Sequence, residues 1–290
     1  MVKKLIKYDF KSYFRLLFPV QLIVIGFALI NRIIQFFEPA GADSYGMYYG
    51  VLSWLLSSGR NVNSPVYNGV FTSSLVLYYI SIAVCIFMTV IVAIVRFYQG
   101  MYTNEGYLNH TLPVTATQHI TAKLLTSMLF MLGSVLTVFI SFMVITAGDL
   151  NIEIFKAAFY LLGKLFGEYG ANTALYILEA VVLFLLANCH TFVKLYCCVS
   201  VGQLAKKKKI LLAFGVYFAV YVIKQIIGTA TIIVFSLNTE FINAIAKYIE
   251  SNTTAAVHIV LCAGIVYYLV VSTVYFFISN FIMSKKLNLA

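Results

Sequence analysis

Six long apolar runs constrain this chain more than any other feature of its sequence. They cover, approximately, residues 16–34, 74–97, 120–147, 174–204, 210–235 and 256–283. A helix needs about 20 apolar residues to cross a hydrocarbon core of about 30 Å, and each run is about that long or longer. Backbone groups inside a membrane must be satisfied within the protein, so these runs predict helices. We therefore expect an all-α, polytopic membrane protein with six transmembrane helices, forming a single transmembrane domain over residues 1–290.

The composition supports a membrane protein and excludes other classes. The chain is 62% hydrophobic and 10% charged, whereas soluble domains carry about 25% charged residues. Its net charge of +10 does not indicate a nucleic-acid partner, because the basic residues collect at the ends of the apolar runs. All five cysteines fall inside apolar runs, where they are typical of small buried hydrophobic side chains. We expect a lipid membrane around this chain and no nucleic acid.

The distribution of basic residues predicts the orientation of the six spans. Six crossings place both termini on one side, which then carries thirteen basic and two acidic residues, against five basic and seven acidic residues on the other side. Basic residues collect on the cytoplasmic side of membrane proteins. Both termini are therefore expected in the cytoplasm, and residues 35–73 and 148–173 are expected to form extracellular loops.

The first fifteen residues are predicted to form an amphipathic interfacial helix before the first span. Basic residues recur at every fourth position from Lys3 to Arg15, while apolar residues such as Phe10 and Phe14 occupy the opposite stripe. A helix of this kind suits the inner headgroup layer of a membrane. A basic topology signal that happens to be helical explains the same pattern.

Residues 98–119 connect the second and third spans and are expected to form a structured cytoplasmic loop. Thr103 or Asn104 is suited to cap a short helix, which Pro113 must end because proline has no N–H to donate. Further along, Thr115 and Gln118 have the spacing of a capping box at the start of the third span. The loop thus contains more structure than a simple turn needs.

The same loop carries side chains suited to docking a soluble partner. Aromatic and apolar side chains make good interface anchors, and Tyr102, Tyr107 and Leu108 have this character beside Glu105. Gly106 allows a tight turn, and if its φ angle there is positive, no β-branched residue should be tolerated at this position. A simple helical hairpin accounts for these residues as well, so the docking role is one of two interpretations.

Ionisable residues inside the apolar runs are candidates for a substrate path, because burying one costs at least about 2.5 kcal/mol. The candidates are Glu179, His190, Lys194 and Lys224. His190 and Lys194 are four residues apart and share a helix face. Lys224 lies at a similar depth, whereas Glu179 lies nearer the outer end and too far away to pair with Lys224. The three basic residues would suit an amphipathic substrate that carries a carboxylate or phosphate, although snorkelling lysines give the same sequence.

Motifs for catalysis are missing from the sequence. It contains no G-x-x-x-x-G-K-[ST] phosphate-binding loop, so the chain is not expected to bind ATP itself. It contains neither an H-E-x-x-H nor a G-x-S-x-G pattern, and its four histidines lie on separate segments. We expect no catalytic residue, no metal site and no cofactor on this chain, which is therefore not predicted to be an enzyme.

Three stretches of the sequence resemble a known family. They are "LIKYDFKSYFRLLFPVQLIVIGFALINR", "RFYQGMYTNEGYLNHTLPVTATQHITAKLL" and "VGQLAKKKKILLAF". They resemble the membrane permease subunits of type-2 ATP-binding-cassette (ABC-2) exporters from Gram-positive bacteria. The similarity covers most of the chain, and "EGYL" and "TLPVT" in the 98–119 loop are its most specific part.

The resemblance implies a fold, partners and a location. It implies the type-2 exporter fold, with an amphipathic N-terminal helix and two six-helix units per transporter, supplied by a second copy or a sister permease. It also implies a separate ATPase subunit, present in two copies, that binds ATP and Mg²⁺ and grips the first cytoplasmic loop. The location implied is the bacterial cell membrane. The 236–255 segment is short for the re-entrant helices that the family often has between its last two spans.

Under this resemblance the loop is a coupling element and the chain an exporter subunit. The coupling residues are expected to be Thr103, Asn104, Glu105, Gly106, Tyr107, Leu108 and Pro113. The expected cargo is an antimicrobial, lantibiotic-like peptide or a hydrophobic, drug-like molecule. Two alternatives stay open: an ion-coupled secondary transporter, and a membrane scaffold or sensor subunit that moves no cargo.

Overall fold

The computed structural model describes residues 2–36, 65–103, 105–106, 114–147, 149–205 and 207–285. These residues are almost entirely helical and contain no β-strand. The helices of at least 13 residues are α1 (Val2–Phe36), α2 (Pro65–Tyr102), α3 (Ala116–Ile145), α4 (Asp149–Tyr169), α5 (Ala171–Gly202), α6 (Lys209–Leu237), α7 (Thr239–Ser251) and α8 (Thr253–Lys285).

Six of these helices are long and apolar enough to cross a membrane. They are α1, α2, α3, α5, α6 and α8, and their apolar parts run for 29 to 34 residues. Each contains one of the six runs predicted from the sequence, which confirms the all-α class and the six candidate spans. At about 1.5 Å per residue, each helix is longer than a hydrocarbon core of about 30 Å requires.

The N-terminal residues belong to the first long helix. Helix α1 continues from Val2 to Phe36 without interruption and contains Pro19. The structure therefore does not separate the predicted interfacial helix (residues 1–15) from the first span. No residue between Lys3 and Leu16 breaks a helix, so the local sequence gives no reason for a boundary there. The position of this segment in a headgroup layer stays a prediction.

A helix fills most of one predicted outer loop, residues 148–173. Helix α4 occupies Asp149–Tyr169, and apolar residues such as Ile152, Phe155 and Phe159 recur in it at intervals of three and four. This is the helical period, which explains why the segment is not an irregular loop. Of the other predicted outer loop, 35–73, residues 37–64 lie outside the described residues, and the part from Pro65 onward belongs to α2.

The connection between α6 and α8 is also helical. Asn238 alone separates α6 from α7, and Asn252 alone separates α7 from α8. Helix α7 places Ile242, Ile245 and Ile249 along one stripe, with polar residues elsewhere around its axis. Such an amphipathic helix is stable beside two long helices, although the segment is too short to span a membrane.

The described helices form two compact units. The larger unit consists of Met1–Tyr8, Ala93–Met128 and Gly163–Ala290, and the smaller unit of Asp9–Val92 and Leu129–Leu162. In the larger unit, α5 packs along α8 and against α6, and α7 contacts both α6 and α8. The prediction of a single transmembrane domain over 1–290 stays a prediction.

Polar side chains join the helices of the smaller unit. Asn31 of α1 is fully buried and forms a reciprocal pair with Ser74 of α2: its Nδ2 donates to the Ser74 carbonyl (3.2 Å), and Ser74 Oγ donates to its Oδ1 (2.6 Å). Two hydroxyl pairs join α2 to α3 in the same way: Tyr78 with Ser141 at 2.9 Å, and Thr89 with Ser134 at 2.8 Å. Hydrogen bonds between small polar residues are typical of helix packing in membranes.

We predict that Asn31→Leu lowers the free energy of unfolding by about 1 kcal/mol, because it removes both bonds between α1 and α2. The measurement is the apparent unfolding temperature of the detergent-solubilised protein. Asn188→Leu is the matched control, since the Asn188 amide donates within its own helix to the Phe184 carbonyl (2.8 Å). If both variants unfold at the wild-type temperature, the Asn31 pair does not stabilise the smaller unit.

Candidate functional site

The structure describes part of the predicted coupling loop. Helix α2 ends at Tyr102, and Thr103 Oγ1 donates back to the Gln99 carbonyl (2.6 Å). Of the seven predicted coupling residues, Thr103, Glu105 and Gly106 are described. The other four lie outside the described residues: Asn104, Tyr107, Leu108 and Pro113. The predicted helix ending at Pro113 therefore stays a prediction.

Gly106 folds back onto the end of α2. Its N–H donates to the Thr103 carbonyl (2.8 Å), and a Cβ at this position would lie 2.6 Å from both the backbone carbon and the oxygen of Met101. Gly106 is not among the described residues with positive φ, so the positive-φ condition considered from the sequence is not met. Glycine is needed here because the backbone of Met101 leaves no room for a side chain.

The far end of the loop is fixed by a capping box. The Thr115 hydroxyl accepts from the N–H of Gln118 (3.4 Å), and the Gln118 side-chain oxygen accepts from the N–H of Thr115 (3.3 Å). This reciprocal arrangement confirms the capping box predicted from the sequence. Helix α3 therefore starts at a defined residue, and the described parts of the loop are anchored at both ends.

The three predicted basic residues of the substrate path come together in the larger unit. We call His190, Lys194 and Lys224 the basic site. His190 is buried, and its Nδ1 lies 3.3 Å from the Ser272 hydroxyl of α8. The two ammonium groups lie over tyrosine rings: Lys194 is 5.1 Å from the Tyr217 centroid, and Lys224 is 5.6 Å from the Tyr267 centroid.

The basic site is one electrostatic group that joins α5, α6 and α8. His190 and Lys224 both lie by the Tyr267 ring of α8: the His190 and Tyr267 ring centroids are 6.5 Å apart, and the Lys224 ammonium lies 5.6 Å from the Tyr267 centroid. Among the described residues, neither lysine has a carboxylate in salt-bridge contact. Tyrosine faces attract cations but do not neutralise them. The two ammonium groups therefore give the site a positive potential, which would suit an anionic group.

Glu179 does not belong to the basic site. It lies eleven residues before His190 on α5, which is about 16 Å along a helix. Its two carboxylate oxygens instead lie 2.8 and 3.0 Å from His258 Nδ1 on α8. The Tyr176 ring packs on the same imidazole with centroids 4.5 Å apart, and its hydroxyl donates to the Thr254 carbonyl (3.0 Å).

His258 was not predicted as the partner of Glu179, although the sequence contains a signal for the pair. Glu179 lies eight residues from the start of α5, and His258 lies five residues from the start of α8. The fourth and sixth spans of a six-span chain run in the same direction, so residues at similar depths along them can meet. No group of three or more acidic, histidine or cysteine side chains suited to a metal ion occurs in the described part of the chain.

We predict that Glu179→Leu lowers the free energy of unfolding by about 1–2 kcal/mol, because His258 loses its carboxylate partner between α5 and α8. Glu179→Gln is the matched control: it keeps a side-chain oxygen and is expected to be milder. The measurement is thermal unfolding in detergent. In a double-mutant cycle, Glu179→Leu with His258→Leu should be no worse than either single change, and purely additive losses would contradict a coupled pair.

Comparisons with known proteins identify no relative of this chain. Its sequence matches no protein-family model, no curated protein and no solved structure. What the chain does must therefore be argued from its own residues, namely the anchored loop, the basic site and the six apolar helices.

Proposed function

We propose that this chain is the membrane permease subunit of a type-2 ATP-binding-cassette exporter. The observation that carries the proposal is the construction of the loop between α2 and α3. Gly106 is held against Met101, and the capping box at Thr115 defines the start of α3. A loop anchored in this way can pass a displacement to two long helices, which a loosely attached connection cannot do.

The sequence supplies the second support for this function. The loop carries the most specific part of the resemblance to exporter permeases, and the chain has no phosphate-binding loop of its own. In the proposed assembly, two copies of a separate ATPase subunit bind ATP and Mg²⁺ and dock on the loop. A second copy of this chain, or a sister permease, completes the transporter.

The proposed topology follows from the charge distribution. Both termini and the basic run at 206–209 lie in the cytoplasm of a bacterial cell, and the chain crosses the cell membrane six times. The amphipathic start of α1 then lies at the inner surface, and α4 and α7 lie at the outer surface. The six apolar helices are compatible with this arrangement.

The basic site supplies the proposed contact with cargo. Its two lysines have no carboxylate partner among the described residues, so an anionic group of the cargo would offset part of their desolvation. A lantibiotic-like peptide has such a group in its C-terminal carboxylate. We propose export of an amphipathic peptide or drug-like molecule that carries an anionic group.

We predict that replacing Tyr107 and Leu108 together by alanine releases the ATPase while the permease stays inserted. Apolar anchors dominate small interfaces, so their loss should weaken docking by about 2 kcal/mol or more. The measurement is copurification of the ATPase with tagged permease, normalised to permease abundance. Glu105→Ala is the matched control, because an exposed rim charge contributes little. A double variant that retains its ATPase and exports normally would show that the loop is only a hairpin.

We also predict that Lys224→Met reduces cargo-stimulated ATP hydrolysis without loss of folded protein. The Lys224 side chain is exposed and has no carboxylate partner among the described residues, so its removal breaks no ion pair. The probe is a lantibiotic with a free C-terminal carboxylate, compared with its C-terminal amide. The wild type should respond more strongly to the acid than to the amide, and Lys224→Met should lose this difference. If Lys224→Met still responds more strongly to the acid than to the amide, as the wild type does, the basic site has only a structural role.

A second candidate function is proton-coupled transport. The observation that favours it is the Glu179–His258 pair, since carboxylate and imidazole pairs within membrane helices serve in proton relays. The two functions differ in their energy source. Transport that stops with a protonophore and continues without ATP would favour the secondary transporter, whereas dependence on ATP hydrolysis favours the exporter.

A further inference from the structure

The larger unit contains a buried aromatic and hydroxyl cluster beside the coupling loop. Tyr196 of α5 is fully buried and stacks on Phe97 of α2, with ring centroids 4.0 Å apart and an interplanar angle of 10°. Its hydroxyl lies 2.6 Å from the Ser127 hydroxyl of α3 and donates to the Lys123 carbonyl (3.4 Å). One side chain of α5 therefore contacts both helices that flank the loop.

A second contact lies one helical turn further along α5. The Tyr102 hydroxyl, on the last residue of α2, donates to the Ser200 hydroxyl (2.8 Å). Ser200 follows Tyr196 by four residues and so lies on the same face of α5. Tyr196 and Ser200 are both completely buried. The end of α2 is thus held on α5 at two successive turns.

The opposite face of α5 carries His190 and Lys194 of the basic site. Lys194 precedes Tyr196 by two residues, which turns it by about 200° around the helix axis. Lys194 accordingly meets Tyr217 of α6, whereas Tyr196 meets α2 and α3. A displacement or rotation of α5 imposed at Tyr196 must also move Lys194, because a helix is stiff over two residues.

We propose that Tyr196 is the positioning residue that transmits movement of the coupling loop to the basic site. This inference rests on the proposed function, because it takes the loop as the place where the ATPase acts. Phe97 lies about 8 Å from the end of α2, so docking at the loop reaches the Tyr196 ring through little more than one helical turn. Movement of α2 displaces the Phe97 ring on which Tyr196 stacks, and movement of α3 displaces the groups that bond the Tyr196 hydroxyl. Tyr196 is therefore placed to convert a change in the relative positions of α2 and α3 into movement of α5.

The test uses Tyr196→Phe in the permease–ATPase complex purified from native membranes and reconstituted in vesicles. This change keeps the stack on Phe97 and removes the hydroxyl group that bonds to α3. The readouts are ATP hydrolysis and uptake of a fluorescently labelled lantibiotic into inside-out vesicles. We expect hydrolysis and copurification within twofold of wild type. Peptide transported per ATP should fall by roughly fivefold, the size expected for loss of the short Tyr196–Ser127 bond (2.6 Å), since the bond to the Lys123 carbonyl (3.4 Å) is long and contributes less.

Ser127→Ala removes the Tyr196–Ser127 hydrogen bond by changing its α3 partner, and it should lower the ratio of transport to hydrolysis by a similar factor. The double variant should be no worse than either single variant, because the two hydroxyl groups act on one bond. Tyr221→Phe, an exposed tyrosine on α6, is the matched control and should keep the wild-type ratio. Ser127→Ala alone supplies the test if Tyr196→Phe does not reach the membrane.

The outcomes separate this inference from the proposed function. A chain that copurifies with no ATPase overturns both. A working ATPase complex in which Tyr196→Phe and Ser127→Ala keep the wild-type ratio of transport to hydrolysis overturns only the role of Tyr196. Loss of the ATPase from the Tyr196→Phe complex would also overturn it, because the tyrosine would then support docking rather than transmission.

Discussion

The packing of α5 along α8 positions the Glu179–His258 pair and His190 of the basic site. A polar side chain on an apolar helix must find its partner within its own helix or on a neighbouring helix, because lipid offers none. Along this contact Glu179 meets His258, and eleven residues later His190 meets Ser272. The close approach extends to the backbone, since a Cβ on Gly264 of α8 would lie 2.7 Å from a Leu183 methyl group. The two helices therefore have a fixed register, which places the basic site.

Helix α5 presents different chemistry on different faces. Its Tyr196 and Ser200 face the helices that flank the coupling loop, while His190 and Lys194 face α6 and α8. An exporter needs such a connection between the place where ATP-driven movement arrives and the place where cargo binds. Under the proposed function, helix α5 would make this connection, because it contacts α2 and α3 through Tyr196 and carries His190 and Lys194 on another face.

The sequence predicts the six apolar helices well, because length and hydropathy decide which segments can span a membrane. It also predicts the capping box at Thr115 and Gln118, which depends on residues three positions apart. It does not predict the pairing of Glu179 with His258, since that depends on the register between helices distant in the chain. Gly106 shows a similar limit: the need for glycine comes from Met101 lying close in space, whereas local sequence reasoning considered a positive φ.

The most direct test of the account is whether the unmodified chain binds an ATPase in its own membrane. The chain would be tagged, extracted from native membranes in mild detergent and purified, and its copurifying proteins identified and assayed for ATP hydrolysis. The account predicts a stoichiometric partner with a phosphate-binding loop, and hydrolysis that a lantibiotic peptide stimulates. A chain that purifies without an ATPase, and transports the peptide on a proton gradient alone, would contradict the account.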